Sequence, residues 1–357
     1  MLGSKQKLDD ESLYRKYDTD GVLESLGQIP DQILQAWEEM DDVALPPFQP
    51  KIVVVSGMGG SGLGPHILQT SFGSQVRVPV VISNGYMLPG YVGEKTLLVS
   101  VSYSGNTEEA VTAYKEAGFR GAQRLVITTG GALARLAGHD KVPLYKFNPK
   151  HNPCGQPRMG LGYPLGALAR ILERYKLADF LSGDMPEAAE HMRSIFEHVQ
   201  FSTPFHENIA KQLATRLEEA IPVFIGTRFL KGALHTAVNQ MHENAKHFAM
   251  YFPLPELNHH LLEALSNPRG LSQAIHAVFF DSPLAHPLVR ERTEVTRAVF
   301  KKQGIATDLY NLTGDDSLSA SLELVAIGGA IGVYLALLHK QNPSKIPWVD
   351  YFKEHLG

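Results

Sequence analysis

The chain has 357 residues, 44% of them hydrophobic and 20% charged, a composition expected of a soluble globular protein large enough for two domains. Its formal net charge is −4, from 33 basic and 37 acidic residues, so no basic surplus suggests nucleic acid and no acidic tail suggests a solvating arm. One cysteine, Cys154, excludes a disulfide framework and a cysteine-based metal site, and fits a reducing, cytoplasmic setting.

The polar stretch from Met1 to Glu11 does not read as a signal peptide. An amphipathic helical pattern follows, so residues 1–40 are expected to form a helical arm. Over 41–180, strands are expected at 51–55, 78–82, 96–101, 124–128 and 142–147. Helices are expected over 62–70, 107–117, 132–137 and 164–176. This alternation is the βαβ rhythm of a parallel sheet covered on both faces. An irregular loop rich in proline, Asn148 to Pro157, lies ahead of the last of these helices. A second α/β cycle is expected over 190–357. It has helices at 185–199 and 205–219, a strand at 221–226 and a long helix at 229–247. A Pro-rich loop, Phe252 to Pro255, then precedes a strand at 277–280, a helix at 286–302 and a strand at 307–311. The apolar run Leu324 to Leu338 holds several glycines and alanines and reads as a buried helix rather than a membrane span. The fold class is therefore α/β, two similar doubly wound halves of flavodoxin-like character.

Two motifs carry chemistry. The strand at 51–55 runs into Ser56-Gly57-Met58-Gly59-Gly60-Ser61-Gly62, a turn that opens a helix. Glycines there let the backbone approach a ligand closely, and a helix N-terminus favours an anion. No Lys-Ser or Lys-Thr closes the turn, so it is not a P-loop. Further along, 96–101 runs into Ser102-Tyr103-Ser104-Gly105-Asn106-Thr107 at another helix start. Hydroxyls and turn N–H groups at a strand's C-terminal end suit a phosphate monoester. Ser, Asn and Thr are also ordinary N-cap residues. Two such loops at strand ends favour the ligand. Gly59, Gly60, Ser61, Ser102, Ser104 and Thr107 are the expected phosphate contacts.

These loops, with Thr128-Thr129-Gly130-Gly131, Pro157-Arg158, Glu243-Asn244-Ala245-Lys246, Glu256-Leu257-Asn258-His259 and Asp350-Tyr351-Phe352-Lys353, resemble the sugar isomerase (SIS) domain superfamily. More narrowly they resemble the bifunctional phosphoglucose/phosphomannose isomerases, which carry two such domains. The resemblance implies an aldose–ketose isomerase that moves a proton between C2 and C1 of a hexose 6-phosphate through an enediol. Taken alone, Glu243 on the helix Leu230–His247 reads as a surface carboxylate bonded to Lys246 or Asn239. The resemblance makes it the base. It likewise makes His259 the ring-opening group, with His260 the adjacent competitor, although the pair could also cap the helix starting near Leu261. Arg158 is placed at the enediolate oxygens and Lys353, on a C-terminal helix, at the ligand. His242 and His247 are five apart, the wrong spacing for a helical zinc site, so no metal is expected, and the reaction needs no cofactor. The resemblance also implies a homodimer, with His259 able to act across its interface. Ile346 stands seven residues before Lys353 where the family commonly has threonine, so glucose 6-phosphate is the expected substrate and mannose 6-phosphate stays open. A non-catalytic phosphosugar sensor is the alternative. It would need the phosphate loops but not Glu243, His259 and Arg158 together.

Overall fold

The first sheet is built from five short strands, and its central strand is buried throughout. In this computed structural model, which describes residues 8–73, 75–178 and 184–356, the strands are β1 (Ile52–Ser56), β2 (Val80–Ser83), β3 (Thr96–Ser102), β4 (Gln123–Thr128) and β5 (Leu144–Lys146). All neighbours pair in parallel, in the order β2-β1-β3-β4-β5. Every residue of β3 is buried, as expected of a strand with helices on both faces.

The helices are α1 (Glu11–Tyr17), α2 (Val22–Gly27), α3 (Ile29–Glu39), α4 (Gly60–Ser71), α5 (Glu108–Phe119), α6 (Gly131–Asp140) and α7 (Gly162–Arg174). They continue with α8 (Asp184–Val199), α9 (Ile209–Leu217), α10 (Lys231–Gln240), α11 (Leu261–Ala264), α12 (Leu271–Ala274), α13 (Pro287–Lys302), α14 (Ser317–Leu338) and α15 (Pro347–Glu354). The chain divides into two units, 28–190 and the pair 1–27 with 191–357. Helix α3 packs with α7 in the first unit. Helices α1 and α2 belong to the second. The buried Lys211 ties their start by donating to Asp9 Oδ1 (2.7 Å) and to the carbonyls of Phe201 and Thr203 (both 2.8 Å).

The second unit holds β6 (Ile221–Thr227), β7 (Met250–Leu254), β8 (Ile275–Asp281) and β9 (Ala306–Asn311), again all parallel, in the order β7-β6-β8-β9. This repeats the order of the first four strands of the other sheet, so the likeness of the halves lies in topology. Helix α14 is the apolar run read from sequence, buried from Leu318 to Leu338 as a core helix.

Three local expectations are corrected. The Phe252–Pro255 stretch is not a loop: Phe252 and Pro253 lie in β7, paired with Ile225 and Gly226. A proline is tolerated because β7 is an edge strand. The long helix expected over 229–247 is shorter. It begins with a 3₁₀ turn, Arg228–Leu230, and after α10 ends in a π-turn, Met241–Ala245, with Lys246 left-handed. The helix expected over 205–219 starts only at Ile209, where the Asn208 side chain accepts from Lys211 N at 3.0 Å.

The faces of the second sheet are distinct. Val223, Ile225, Ala277 and Phe279 pack with Leu257, Leu265 and, from α13, Phe300. Gly226 points the other way, where a Cβ would lie 3.1 Å from Leu230 Cδ1 and 3.5 Å from Leu234 Cδ1, on the side of α10.

Candidate active site

Strands β1 and β3 are neighbours, yet β1 leads to β2 on one side and β3 to β4 on the other. The crevice outside the carboxyl ends of strands at such a reversal is where open α/β sheets hold ligands. Both hydroxyl-and-glycine loops emerge there. Gly59, with φ +48°, sets the entry into α4. Ser61 is buried, and its Oγ accepts from Tyr103 N at 3.0 Å, which joins the two loops. Ser102 is fully buried. Its Oγ accepts from Gly105 N at 3.0 Å and lies 2.8 Å from Thr107 Oγ1. Ser104 is exposed, and its Oγ accepts from Asn106 N at 3.3 Å.

Thr107 occupies the N-cap position of α5 but makes no capping bond. Its hydroxyl is turned to Ser102 instead, so capping does not explain it. The loop is also strapped in place. Thr129 donates to Tyr103 O from its backbone N (3.0 Å) and its Oγ1 (2.7 Å), and Ala132 N donates to Asn106 Oδ1 at 2.9 Å. Gly105 has φ +71°, and a Cβ there would lie 1.8 Å from Gly130 O. Nothing but glycine fits this position, and the close approach packs the loop against Gly130.

Arg158 sits in a 3₁₀ turn, Pro157–Met159, and is 1% exposed. Its Nη1 donates to Gln156 Oε1 at 2.9 Å. A Cβ on Gly60 would lie 2.4 Å from Arg158 N, so the turn is pressed against the first residue of α4. The structure thus presses the Arg158 backbone against Gly60, next to Ser61, whose bond to Tyr103 joins it to the loop of Ser102, Ser104 and Thr107. Three residues without an assigned role in the sequence reading support this arrangement. Asn152 Nδ2 donates to Tyr103 OH and to Gln156 O, both at 3.0 Å. Burial raises the Tyr103 phenol above its ordinary pKa, so at neutral pH it serves as a hydrogen-bonding group. The sequence signal was the tyrosine flanked by two loop serines.

In the other unit, Glu243 is half-buried in the π-turn and its Oε1 accepts from Asn239 Nδ2 at 3.1 Å. Asn239 was one of the two partners expected from sequence. Short π-turns inside α-helices recur at functional sites because they re-aim side chains. His242 faces the backbone of Ala249, with Nε2 3.2 Å from the amide N. His247 Nε2 lies 2.6 Å from Ala220 O. His259 ends a 3₁₀ turn, Glu256–His259. Leu257 beneath it is fully buried, and Asn258 Nδ2 donates to Thr296 Oγ1 at 2.7 Å. The His259 imidazole is exposed and makes no hydrogen bond among the described residues. His260 takes the N-cap position of α11 without a capping bond, so the pair is not explained as a cap. Lys353 is exposed on α15, a helix that buries none of its residues. Among the described residues no cluster of three His, Cys, Asp or Glu could hold a metal ion.

Two parallel sheets of matching strand order, each flanked by helices, with hydroxyl loops at the first one's reversal, give the chain the fold of two tandem SIS domains. Residues 206–356 match the family model of the bacterial phospho-glucose isomerase C-terminal SIS domain. The chain is a homologue of the bifunctional phosphoglucose/phosphomannose isomerases. It is 28% identical to that of Caldicellulosiruptor bescii over 346 residues, covering 94% of this chain and 99% of the relative. It is 29% identical to that of Aquifex aeolicus, covering 89% and 94%. In fold it is similar to a hypothetical protein from Thermus thermophilus, with a TM-score of 0.74, 16% identity and coverage of 98% of this chain and 93% of that one.

Proposed function

We propose that this chain is an aldose–ketose isomerase that interconverts glucose 6-phosphate, and mannose 6-phosphate, with fructose 6-phosphate through an enediol. The observation that carries the reading is the strapped Ser102–Thr107 loop beside Ser61, at the reversal point of the first sheet, in a homologue of enzymes named for this reaction. Ser61, Ser102, Ser104 and Thr107, with the backbone N–H groups of Gly59 and Gly60, hold the 6-phosphate. Glu243 takes the proton from C2 and returns it to C1. Arg158 stabilises the enediolate oxygens. His259 opens the sugar ring, and Lys353 reaches the ligand when α15 closes on it. The working form is a homodimer. An exposed, unengaged His259 on a firm turn supports its use by a second copy of the chain. No residue is assigned to a metal or a cofactor. The sensor alternative is not favoured, because it gives Glu243, His259 and Arg158 nothing to do.

A coupled assay started from fructose 6-phosphate, reading glucose 6-phosphate and mannose 6-phosphate separately, tests the proposal. Both products are expected. Glucose 6-phosphate alone would restrict the substrate and point to Ile346. Neither product would refute the reading.

A further inference from the structure

Lys246 closes the turn that carries Glu243. Among the described residues four lysines have left-handed backbone: Lys141 (φ 55°), Lys176 (φ 55°), Lys246 (φ 53°) and Lys340 (φ 58°). Lys141, Lys176 and Lys340 are exposed. Lys246 is half-buried, and its Nζ donates to Asn244 O at 3.1 Å and to Asn342 O at 2.5 Å. A left-handed non-glycine residue persists where its surroundings over-determine it, and here the ammonium supplies the fixing contacts. Asn342 is itself pinned. Its Nδ2 donates to Thr19 Oγ1 (3.0 Å) and Asp20 Oδ2 (2.9 Å), and its Oδ1 accepts from Ser344 N (2.7 Å). The lysine therefore ties the C-terminal end of a helix to a loop held from two directions.

A π-turn holds one residue more than the α-helical turn it replaces. Its loss would turn the residues that follow the insertion by about 100° around the helix axis. Resting on the isomerase reading above, we propose that Lys246 is a positioning residue: its clamp on Asn342 keeps the π-turn in the geometry that presents the Glu243 carboxylate to substrate. The lysine acts through Glu243 and is not itself given a proton to move.

Lys246→Met keeps the aliphatic length and removes the donors. The expected result is a kcat lower by roughly 10–100-fold, the penalty for a slightly misplaced catalytic group. KM for fructose 6-phosphate should stay within about twofold, because the phosphate loops are untouched. The His247 amide, bonded to Met241 O at 3.1 Å, should exchange with deuterium faster, while the thermal midpoint stays near wild type. Lys246→Arg, which restores a charged donor, should recover part of kcat. Lys340→Met, at an exposed lysine of the same backbone conformation, should leave kcat unchanged. A folded Lys246→Met with wild-type kcat overturns the proposal, as does a kcat loss that Lys340→Met shares. Should Lys246→Met fail to fold, Lys246→Gln, with a shorter donor, is read by the same criteria. Glu243→Gln run in parallel separates the two levels. Full activity there overturns Glu243 as the base. Loss there with full activity in Lys246→Met overturns the clamp alone.

Discussion

Glu243 and His259 are carried on opposite faces of one sheet. The π-turn with Glu243 continues α10, which covers the Gly226 face of β6. The turn with His259 is anchored by Leu257, which packs with Val223 and Ile225 on the other face. The strand order explains the separation. β6 crosses to β7 in one direction and β7 returns past β6 to β8 in the other, and right-handed crossovers then put the two connections, the first carrying Glu243 and the second His259, on opposite sides.

If both residues serve one substrate, they belong to different copies of the chain. An inactive Glu243→Gln chain mixed with an inactive His259→Ala chain should then regain activity. In a random mixture half of the dimers are mixed, and each mixed dimer holds one intact site, so about a quarter of the wild-type rate is expected. No recovery in verified mixed dimers would show that each chain supplies its own histidine.

The phosphate assignment predicts a binding defect. Ser102→Ala together with Ser104→Ala should raise KM for fructose 6-phosphate strongly and leave kcat less affected. Each hydrogen bond to a charged group is worth roughly 1.5–3 kcal/mol. Ser102 also holds Gly105 N at 3.0 Å, so the double variant is compared with Ser104→Ala alone, which leaves that strap intact. An unchanged KM in the double variant removes the phosphate from this loop.

The elements that bury apolar runs on both sides were legible in the sequence. Leu97, Leu98 and Val99 announce β3, and the hydroxyls that follow announce the loop. Less legible was whatever the helical and strand patterns do not encode. The α-helical periodicity runs through Met241 without a break, so nothing marks the π-turn or the left-handed Lys246. Pro253 and Pro255 hid β7, because a proline argues against a strand unless the strand is known to be an edge. Tyr103 was visible only as a residue between two serines. Its partner Asn152 lies 49 positions away, a distance no local pattern spans. The opposite faces of Glu243 and His259 depend on strand order, which follows only once β7 is recognised.

Asp308 gives a prediction about acid stability. Its carboxyl is held below the ordinary carboxylate range, first by the hydrogen bond with His276 Nε2 (2.8 Å) and also by the Arg216 guanidinium. A carboxyl with a depressed folded pKa stabilises the protein fully above its unfolded value, near 3.8. That contribution is lost as pH falls below about 4 and through the folded value. Asp308→Asn should therefore lower stability at pH 7 by on the order of 1 kcal/mol, a modest figure because the pair is partly solvated. The gap from wild type should narrow below about pH 4. Urea midpoints from pH 7 to pH 2.5 measure this, and a gap that is constant over the range would contradict the assignment.

The decisive prediction concerns the proton. Glu243→Gln keeps the shape of the side chain and can keep the contact to Asn239, whose Nδ2 lies 3.1 Å from Oε1. It removes the proposed base. The expected loss in kcat is roughly 10²–10⁴-fold with KM near wild type, the signature of a group needed in the transition state and not for binding. His259→Ala should behave differently. It should slow the cyclic sugar most and the open-chain form least, because the role proposed for it is ring opening. Isotope exchange distinguishes the two directly. Wild-type enzyme should wash the C2 deuteron of labelled glucose 6-phosphate into water, and His259→Ala should still do so on the open-chain fraction. Glu243→Gln should not. Exchange at the wild-type rate in Glu243→Gln would mean that another group takes the proton, and the base would then have to be sought among the other carboxylates and histidines of the chain.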